Sequence, residues 1–266
     1  MASGFPLEWQ IVGRGDFDGY GDFLWRDTKT GDVAVWLMNG PSVVKGATLA
    51  SGLASVWQSF GVADFDGDGR SDIAWRNTST GDVVFWFMNG TTVTSAPTVA
   101  AALALAWKGV GTGDFNGDGH ADILWRNTTT GDVYVWLMNG TQAIGGGTVA
   151  FGLDSAWQTL GTGDFNGDGM TDILWQNTTS KDTSVWIMSG STALASGTPQ
   201  AGFSGYELVG IGDFDGNGVA DIMWRNTSTT TVVTWRMNLW NITSTVTTLQ
   251  SSNSALGSNG AFADQF

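Results

Sequence analysis

Carboxylates recur at alternate positions in four short, glycine-containing segments, and this spacing suits a hard cation. In the segment that begins at Asp64, carboxylates stand at positions one, three, five and nine, and Gly67 and Gly69 allow the chain to turn tightly. Ca²⁺ takes about six to eight oxygen ligands, so alternate carboxylates plus the backbone carbonyl of position seven form a suitable set. The pattern therefore predicts one calcium site in each complete loop.

Each predicted site uses the side chains of positions one, three, five and nine and the carbonyl of position seven. The four sets are Asp64, Asp66, Asp68, Arg70 and Asp72; Asp114, Asn116, Asp118, His120 and Asp122; Asp164, Asn166, Asp168, Met170 and Asp172; and Asp213, Asp215, Asn217, Val219 and Asp221. Asn in place of Asp keeps an oxygen ligand and lowers the charge. We therefore expect about four structural Ca²⁺ ions.

An earlier segment, DFDGYGDFLW, is a shortened version of the same loop. It keeps Asp16, Asp18 and Asp22 but is two residues shorter, and Tyr20 replaces a ligand. We expect this first loop to bind calcium weakly or not at all.

Turn formation is the alternative explanation for these loops, because Asp and Asn cap local backbone groups and Gly accepts positive φ. The four complete loops, however, hold 13 of the 25 acidic residues. Such crowding of like charge costs free energy without a cation, which favours metal binding. An ion that binds only the folded chain stabilises it, so chelation is expected to lower the melting temperature.

The loops mark a repeat that runs through the chain. Their first residues are spaced by 48, 50, 50 and 49 residues, at Asp16, Asp64, Asp114, Asp164 and Asp213. Each unit begins with an aromatic residue and continues through the loop into an apolar segment such as Ile123 to Asn127, followed by a turn and two further strand-like segments. The chain is therefore predicted to consist of five tandem repeats.

Four short strands per repeat, with inner strands that are apolar on both faces, indicate sheets stacked face to face. Units of this length are typical of β-propeller blades, and propellers have about four to eight blades. An open β-solenoid is the competing architecture, but its rungs are usually shorter than these repeats. We predict an all-β, five-bladed propeller of four-stranded antiparallel blades, forming one domain.

The repeat spacing divides the chain into segments. These are an N-terminal extension, 1–8; blades at 9–56, 57–106, 107–156, 157–205 and 206–250; and a tail at 251–266. The final residues, GAFADQF, are similar to FGVADFD at Phe60 to Asp66. This tail either pairs with the first blade and closes the ring or begins a longer array, and the sequence leaves both open.

The four complete loops with their following strands read DFDGDGRSDIAW, DFNGDGHADILW, DFNGDGMTDILW and DFDGNGVADIMW. These motifs resemble FG-GAP or VCBS repeats, and the resemblance covers roughly residues 9 to 250. It implies a calcium-binding propeller that is secreted or displayed at the cell surface, as in integrin α subunits and fungal lectins. The chain departs from those proteins in having fewer repeats and a shortened first loop.

Aromatic, Arg and Asn residues are expected to meet on the face opposite the acidic loops, where strand one begins and strand two ends. An aromatic ring beside planar donors and acceptors suits a sugar, and repetition would add avidity. The predicted carbohydrate-binding residues are Trp57, Arg76, Asn77, Trp107, Arg126, Asn127, Trp157 and Asn177. The alternative is that recurring Trp residues are core, for which Trp75 and Trp125 and their equivalents are the clearest candidates.

Composition restricts the function further. A formal charge of −14 repels nucleic acid and anionic lipid surfaces, and no apolar run is long enough to insert into a membrane. A single His and only two Glu residues argue against an enzyme, since nearly every Asp residue is explained by a repeat position. We therefore expect a calcium-stabilised lectin that binds carbohydrate or a glycoconjugate. The alternative is a non-catalytic protein-binding, adhesion or scaffold module.

Overall fold

The computed structural model describes residues 8–248; the N-terminal residues 1–7 and the tail from 249 lie outside this range. Every regular element within that range is a β-strand. The strands are β1 (Trp9–Asp16), β2 (Gly21–Asp27), β3 (Val33–Asn39), β4 (Ser42–Ala50), β5 (Trp57–Ala63), β6 (Asp72–Asn77), β7 (Val83–Asn89), β8 (Thr92–Ser95), β9 (Thr98–Ala100), β10 (Trp107–Gly113), β11 (Asp122–Asn127), β12 (Val133–Asn139), β13 (Gln142–Ala150), β14 (Trp157–Gly163), β15 (Asp172–Asn177), β16 (Thr183–Ser189), β17 (Thr192–Gly197), β18 (Tyr206–Gly212), β19 (Asp221–Asn226), β20 (Val232–Asn238) and β21 (Asn241–Thr248).

The strands form five sheets, one for each repeat, and neighbouring strands in a sheet follow one another in the chain. Four sheets have four strands. In the second sheet the outermost strand is divided into β8 and β9, which both pair with β7. The predicted fold class is confirmed: a five-bladed β-propeller of four-stranded antiparallel blades. No helix that could span a membrane occurs in the part of the chain that the structure describes.

The register of the two inner strands shows which residues lie at each end of a blade. In the second blade Trp57 pairs with Asn77 at one end, and Ala63 pairs with Asp72 at the other. The register shifts between Ser59 and Gly61, and an equivalent shift occurs in the first, fourth and fifth blades. The acidic loops therefore leave one end of the blade, and the Trp and Asn positions lie at the opposite end.

The chain divides into two compact units. The first comprises 1–112, 119–129 and 136–146, and the second comprises 113–118, 130–135 and 147–266. Each unit has its own apolar cluster between stacked sheets. In the first, Leu24 and Val35 of one blade pack with Trp75 of the next. In the second, Leu174 and Val185 pack with Trp224.

The Trp residues of the second strands are mostly core, as the alternative interpretation of the sequence predicts. Trp75, Trp125, Trp175 and Trp224 are at most 1% exposed. Each buries a large ring between sheets, and Trp75 also lies 5.0 Å from the ring of Trp86. Removing such a ring leaves a cavity that costs about 3 to 5 kcal/mol. These residues are therefore unavailable for ligand binding.

Candidate metal centres and the opposite face

Position nine of each loop is a buried anchor for the blade. Asp72 begins β6 and is fully buried. Its Oδ2 accepts a hydrogen bond from the amide of Phe65 in the loop (3.0 Å), and its Oδ1 accepts one from the amide of Met88 in β7 (2.8 Å). One carboxylate therefore connects the loop to the third strand of the same blade.

The same pair of hydrogen bonds, a clamp between the loop and the third strand, recurs in other blades. Asp22, Asp172 and Asp221 each accept hydrogen bonds from the loop Phe and from the Met of the third strand; the donors are Phe17 and Met38, Phe165 and Met188, and Phe214 and Met237. Asp122 is also fully buried and accepts a bond from Met138 at 2.7 Å. Sequence reasoning assigned Asp72, Asp122, Asp172 and Asp221 only as ligands, and it expected weak or no binding in the loop of Asp22. The available signal was the Met that stands 16 residues after each of these Asp residues.

Burial without a counter-charge makes this carboxylate difficult to ionise. Desolvation raises the pKa of Asp72 and of Asp172 to about 7, although two backbone amides oppose the shift. Nearby carboxylates, such as Asp66 and Asp64 beside Asp72, raise the pKa further. A divalent cation bound beside Asp72 would favour the ionised form, because opposite charge stabilises a carboxylate.

Position one organises the loop. Oδ1 of Asp64 accepts the amides of Gly67 (2.7 Å) and Asp68 (3.2 Å), and Oδ2 accepts the amide of Gly69 (2.7 Å). Gly67 and Gly69 have φ values of 76° and 84°, which side chains rarely adopt. The turn-forming role considered from the sequence is therefore present. It does not exclude metal binding, since each carboxylate oxygen has two lone pairs.

Three loops bring three carboxylates together. One oxygen from each member of a triad lies within 4.8 Å of the others in Asp16, Asp18 and Asp22; in Asp64, Asp66 and Asp72; and in Asp213, Asp215 and Asp221. Clustered carboxylate oxygens are the donor set of a hard cation such as Ca²⁺. These triads could hold a metal ion. The carboxylates of the first loop come together within the same distance as those of the other two loops. Its expected weak calcium binding stays a prediction.

The remaining ligand positions behave differently. Asp68 forms an exposed ion pair with Arg70 at 3.1 Å and is not part of the converging triad. In the fourth blade, the Asn166 amide donates to Asp168 at 2.8 Å, and in the third blade Asn116 donates to Asp118 at 2.9 Å. Asn at position three therefore supports the carboxylate at position five, in addition to being a candidate ligand.

Side chains at position seven pack onto the preceding loop. His120 lies against Gly67, with its Nδ1 3.3 Å from the carbonyl oxygen of Phe65. Met170 and Val219 occupy equivalent places beside Gly117 and Gly167. The sequence prediction used only the backbone carbonyls of these residues. Their side chains close the gap between successive loops, which only the structure shows.

Arg76 lies at the opposite end of the second blade, where its hydrogen bonds connect a turn to the next connector. Its side chain is 3% exposed, and its guanidinium donates to the carbonyls of Gly81 (3.1 Å), Leu103 (3.0 Å) and Ala104 (3.0 Å). It also lies over the ring of Trp125, 5.4 Å from the centroid. Arg26 in the first blade donates to the equivalent connector carbonyls of Leu53 and Ala54, and also to the carbonyl of Trp57 in β5.

The Asn residues beside these Arg residues also form hydrogen bonds within the protein. Oδ1 of Asn77 accepts the amides of Ser79 and Thr80, and Asn127 and Asn177 cap their turns in the same way. Trp57 pairs with Asn77 in the register, while Trp107 and Trp157 are half-buried at equivalent positions. The predicted saccharide residues Trp57, Arg76 and Asn77 therefore lie near one blade end, but Arg76, Arg126 and Asn77 are buried. Carbohydrate binding stays a prediction without support from these contacts.

The connectors carry exposed apolar side chains that sequence reasoning missed. Phe151, at the start of the connector after β13, is 82% exposed, and Leu105 in the connector before β10 is 45% exposed. The only available signal was a large apolar residue in a segment otherwise rich in Gly, Ala and Ser. Aromatic residues are enriched in protein–protein interfaces relative to the rest of the surface.

The repeats match a known family. The model of the FG-GAP-like repeat matches residues 16–75, 64–125, 114–175 and 164–224, which together span most of the chain. The chain belongs to the FG-GAP-like repeat family. No curated protein matches the chain in sequence. Among solved structures, this FG-GAP-like protein is similar to a chain of the "Crystal structure of Nidogen/Laminin Complex", with a TM-score of 0.55 and 13% identity over 88% of this chain and 79% of that one. At this identity the likeness shows the β-propeller fold alone.

Proposed function

We propose that the protein is a calcium-stabilised, non-catalytic module that binds a protein partner, in a secreted or cell-surface setting. Phe151 carries the proposal, because a ring that is 82% exposed gives no core packing and suits an anchor for a partner. The propeller of similar fold comes from a structure whose title names a complex between two proteins. The FG-GAP-like family supports a binding role rather than catalysis.

The connector that carries Phe151 is held in place by the blade. The amide of Leu153 donates to the carbonyl of Gly131 at 3.0 Å, and the amide of Gly152 donates to Asp132 at 3.0 Å. A side chain presented on a fixed backbone loses less conformational entropy when it is buried by a partner. This preorganisation favours Phe151 as a binding residue.

Structural roles of the acidic residues support a non-catalytic protein. Asp82, Asp132 and Asp182 accept the amides of connector residues 102, 152 and 202, and the loop Asp residues organise turns and clamps. Glu207 pairs with Arg225 at the surface. General acid–base chemistry needs a pair of carboxylates placed around a substrate. Within residues 8–248 the clustered carboxylates lie in the acidic loops, where their oxygens already accept backbone amides.

Calcium fits this function as a structural ion. The triads of the first, second and fifth loops offer clustered carboxylates, and calcium sites of extracellular modules have dissociation constants of about 10⁻⁴ to 10⁻³ M. Ions at that concentration are available outside cells, which is why we propose a secreted or cell-surface setting. The ion would hold the loops in place, at the opposite end of the blades from the connectors.

The test is to capture secreted or surface proteins on the immobilised full chain in calcium, identify a partner and measure its affinity in purified form. Phe151→Ser is expected to weaken binding by at least about tenfold, since burial of a Phe ring contributes about 1.5 to 3 kcal/mol. Leu194→Ser is the matched control, because Leu194 is 61% exposed on the outer strand β17. It is expected to leave the affinity unchanged.

Saccharides serve as competitors in the same assay. Binding that is insensitive to sugars supports a protein partner. Selective binding of one saccharide class on a glycan array, with protein capture abolished by that sugar, would overturn the proposal in favour of the lectin predicted from the sequence. Equal affinities for the wild type and Phe151→Ser would exclude the connector as the binding surface.

A further inference from the structure

The turn between the third and fourth strands contains an Asn–Gly pair in each of the first three blades. These pairs are Asn39 and Gly40, Asn89 and Gly90, and Asn139 and Gly140. In all three the third strand ends at the Asn, which is exposed, and the Gly has a φ of 55°, 57° or 58°. The turns therefore share sequence and backbone conformation, so a difference in their chemistry must come from their surroundings.

An Asn–Gly pair can modify itself. The backbone nitrogen of the Gly gives its proton to a base in the solvent and attacks Cγ of the Asn. A new C–N bond closes a five-membered succinimide ring, and the side-chain nitrogen takes up a proton and leaves as ammonia. Water then opens the ring at either carbonyl, which leaves aspartate or isoaspartate and one additional negative charge. Gly favours the reaction because it has no Cβ to crowd the approach.

The preceding blade holds the reacting N–H in the second and third blades. The amide of Gly90 donates to the carbonyl of Phe17 at 3.0 Å, and the amide of Gly140 donates to the carbonyl of Phe65 at 3.0 Å. Both Phe residues are fully buried in the loop of the blade before. An amide held in this way loses its proton only when the contact opens. Asn89 and the equivalent Asn of the third blade are therefore protected, although their side chains are exposed.

The turn of the first blade lacks this hydrogen bond. The amide of Gly40 has no acceptor among the described residues. Gly40 is also exposed, whereas Gly90 and Gly140 are partly buried. Solvent base therefore reaches the nitrogen of Gly40 without any opening of the structure.

The acidic loops contain the other Asn–Gly pairs of residues 8–248. There the amides of Gly117, Gly167 and Gly218 each donate to the first Asp of their own loop, at 2.6 to 2.8 Å. These N–H groups are bound in the same sense as those of the second and third turns. The pair at 259–260 lies outside the described residues. Within the described range, Asn39 alone precedes a Gly whose N–H has no acceptor there.

We propose that Asn39 is a site of spontaneous deamidation. The product carries one more negative charge than the parent chain, whose formal charge is −14. Isoaspartate also adds one carbon to the backbone, directly beside the pairing of Asn39 with Ser42 that begins β4. The first hairpin therefore changes with time and without an enzyme, while the second and third hairpins keep their Asn.

Peptide mapping of the full chain by mass spectrometry tests the proposal. The folded protein is incubated at mildly alkaline pH in water enriched in oxygen-18, which labels products formed during the incubation and separates them from conversion during digestion. Asn39 is expected to convert at least about tenfold faster than Asn89 and Asn139, because their bound N–H groups react only after local opening. In denaturant the three residues are expected to convert at similar rates.

Hydrogen exchange provides a second measurement, and the amide of Gly40 is expected to exchange faster than those of Gly90 and Gly140. Asn39→Gln is the control variant, since its longer side chain must close a six-membered ring. It is expected to abolish conversion at position 39 and to leave the rest of the map unchanged. Equal conversion of the three turns in the folded protein would overturn the proposal. So would an unreacted Asn39 under conditions in which the denatured chain converts.

Discussion

The amide of Met88 donates a hydrogen bond to Oδ1 of Asp72 at 2.8 Å, across 16 residues of chain, and both residues are buried. The other oxygen of Asp72 accepts the amide of Phe65. The residue that most resembles a metal ligand in sequence is thus also a main internal support of its blade. The clamp and the proposed metal binding are separable by experiment, because the two hydrogen bonds of the clamp do not require a metal ion.

Asp72→Ala is expected to destabilise the metal-free protein by roughly 2 to 5 kcal/mol, because two buried amides lose their acceptor. Urea unfolding in the presence of a chelator measures this effect. Asp68→Ala is the matched control: its carboxylate is exposed and pairs only with Arg70 and nearby amides, so a loss below about 1 kcal/mol is expected. Similar losses for the two variants would contradict the clamp.

Calcium is expected to raise the melting temperature, and chelation is expected to reverse the effect. One site at a calcium concentration one hundred times its dissociation constant adds about 2.7 kcal/mol. Asp66→Asn, at an exposed member of the second triad, should reduce the calcium-dependent shift while leaving the melting temperature in chelator nearly unchanged. Scanning calorimetry with calcium, magnesium and chelator checks this. Identical curves in calcium and chelator would exclude a stabilising ion.

Arg76→Gln is expected to cost roughly 2 to 4 kcal/mol, since the carbonyls of Gly81, Leu103 and Ala104 lose a buried charged donor. Arg225→Gln is the control, because Arg225 and Glu207 form a pair in which both side chains are more than 40% exposed. Such pairs contribute about 0 to 1 kcal/mol. Chemical denaturation compares the two, and equal costs would show that the Arg76 contacts add little.

Ala102→Gly is expected to stabilise the protein by about 0.5 to 1 kcal/mol. Ala102 has φ of 51°, a conformation that is costly for a side chain, whereas the other connectors have Gly52, Gly152 and Gly202 at this position. The reverse change, Gly52→Ala, is expected to destabilise by a similar amount. Thermal melts of both variants provide the measurement. A loss of stability in Ala102→Gly would show that backbone strain at this site is small.

Asp82 is expected to contribute to stability in a pH-dependent way. Hydrogen bonds from the Ala102 amide and the Thr80 hydroxyl lower the pKa of Asp82 below its ordinary value. A group with a depressed pKa in the folded state stabilises above its unfolded pKa, and this contribution is lost as the pH falls through the folded pKa. The difference in melting temperature between the wild type and Asp82→Asn should therefore shrink below about pH 4. A constant difference from pH 6 to pH 3 would refute this.

Local pattern in the sequence was sufficient to determine the repeat, the strands and the turns. The near-constant spacing of Asp64, Asp114 and Asp164 predicts stacked units, and glycines such as Gly67 mark positive φ. These features depend on neighbouring residues along the chain, because backbone conformation and side-chain alternation are local properties. The five-bladed fold followed from them without knowledge of any contact.

Only the tertiary structure decided which polar groups remain available to bind a ligand. Arg76 looked like a sugar-binding residue until its partners, 27 and 28 residues further along the chain, were placed beside it. From the sequence Asp72 was predicted only as a ligand, and the structure adds its hydrogen bond from Met88; the exposure of Phe151 is likewise visible only in the structure. Hydrogen-bond partners and burial depend on which strands stack together, and the order of residues does not state this directly.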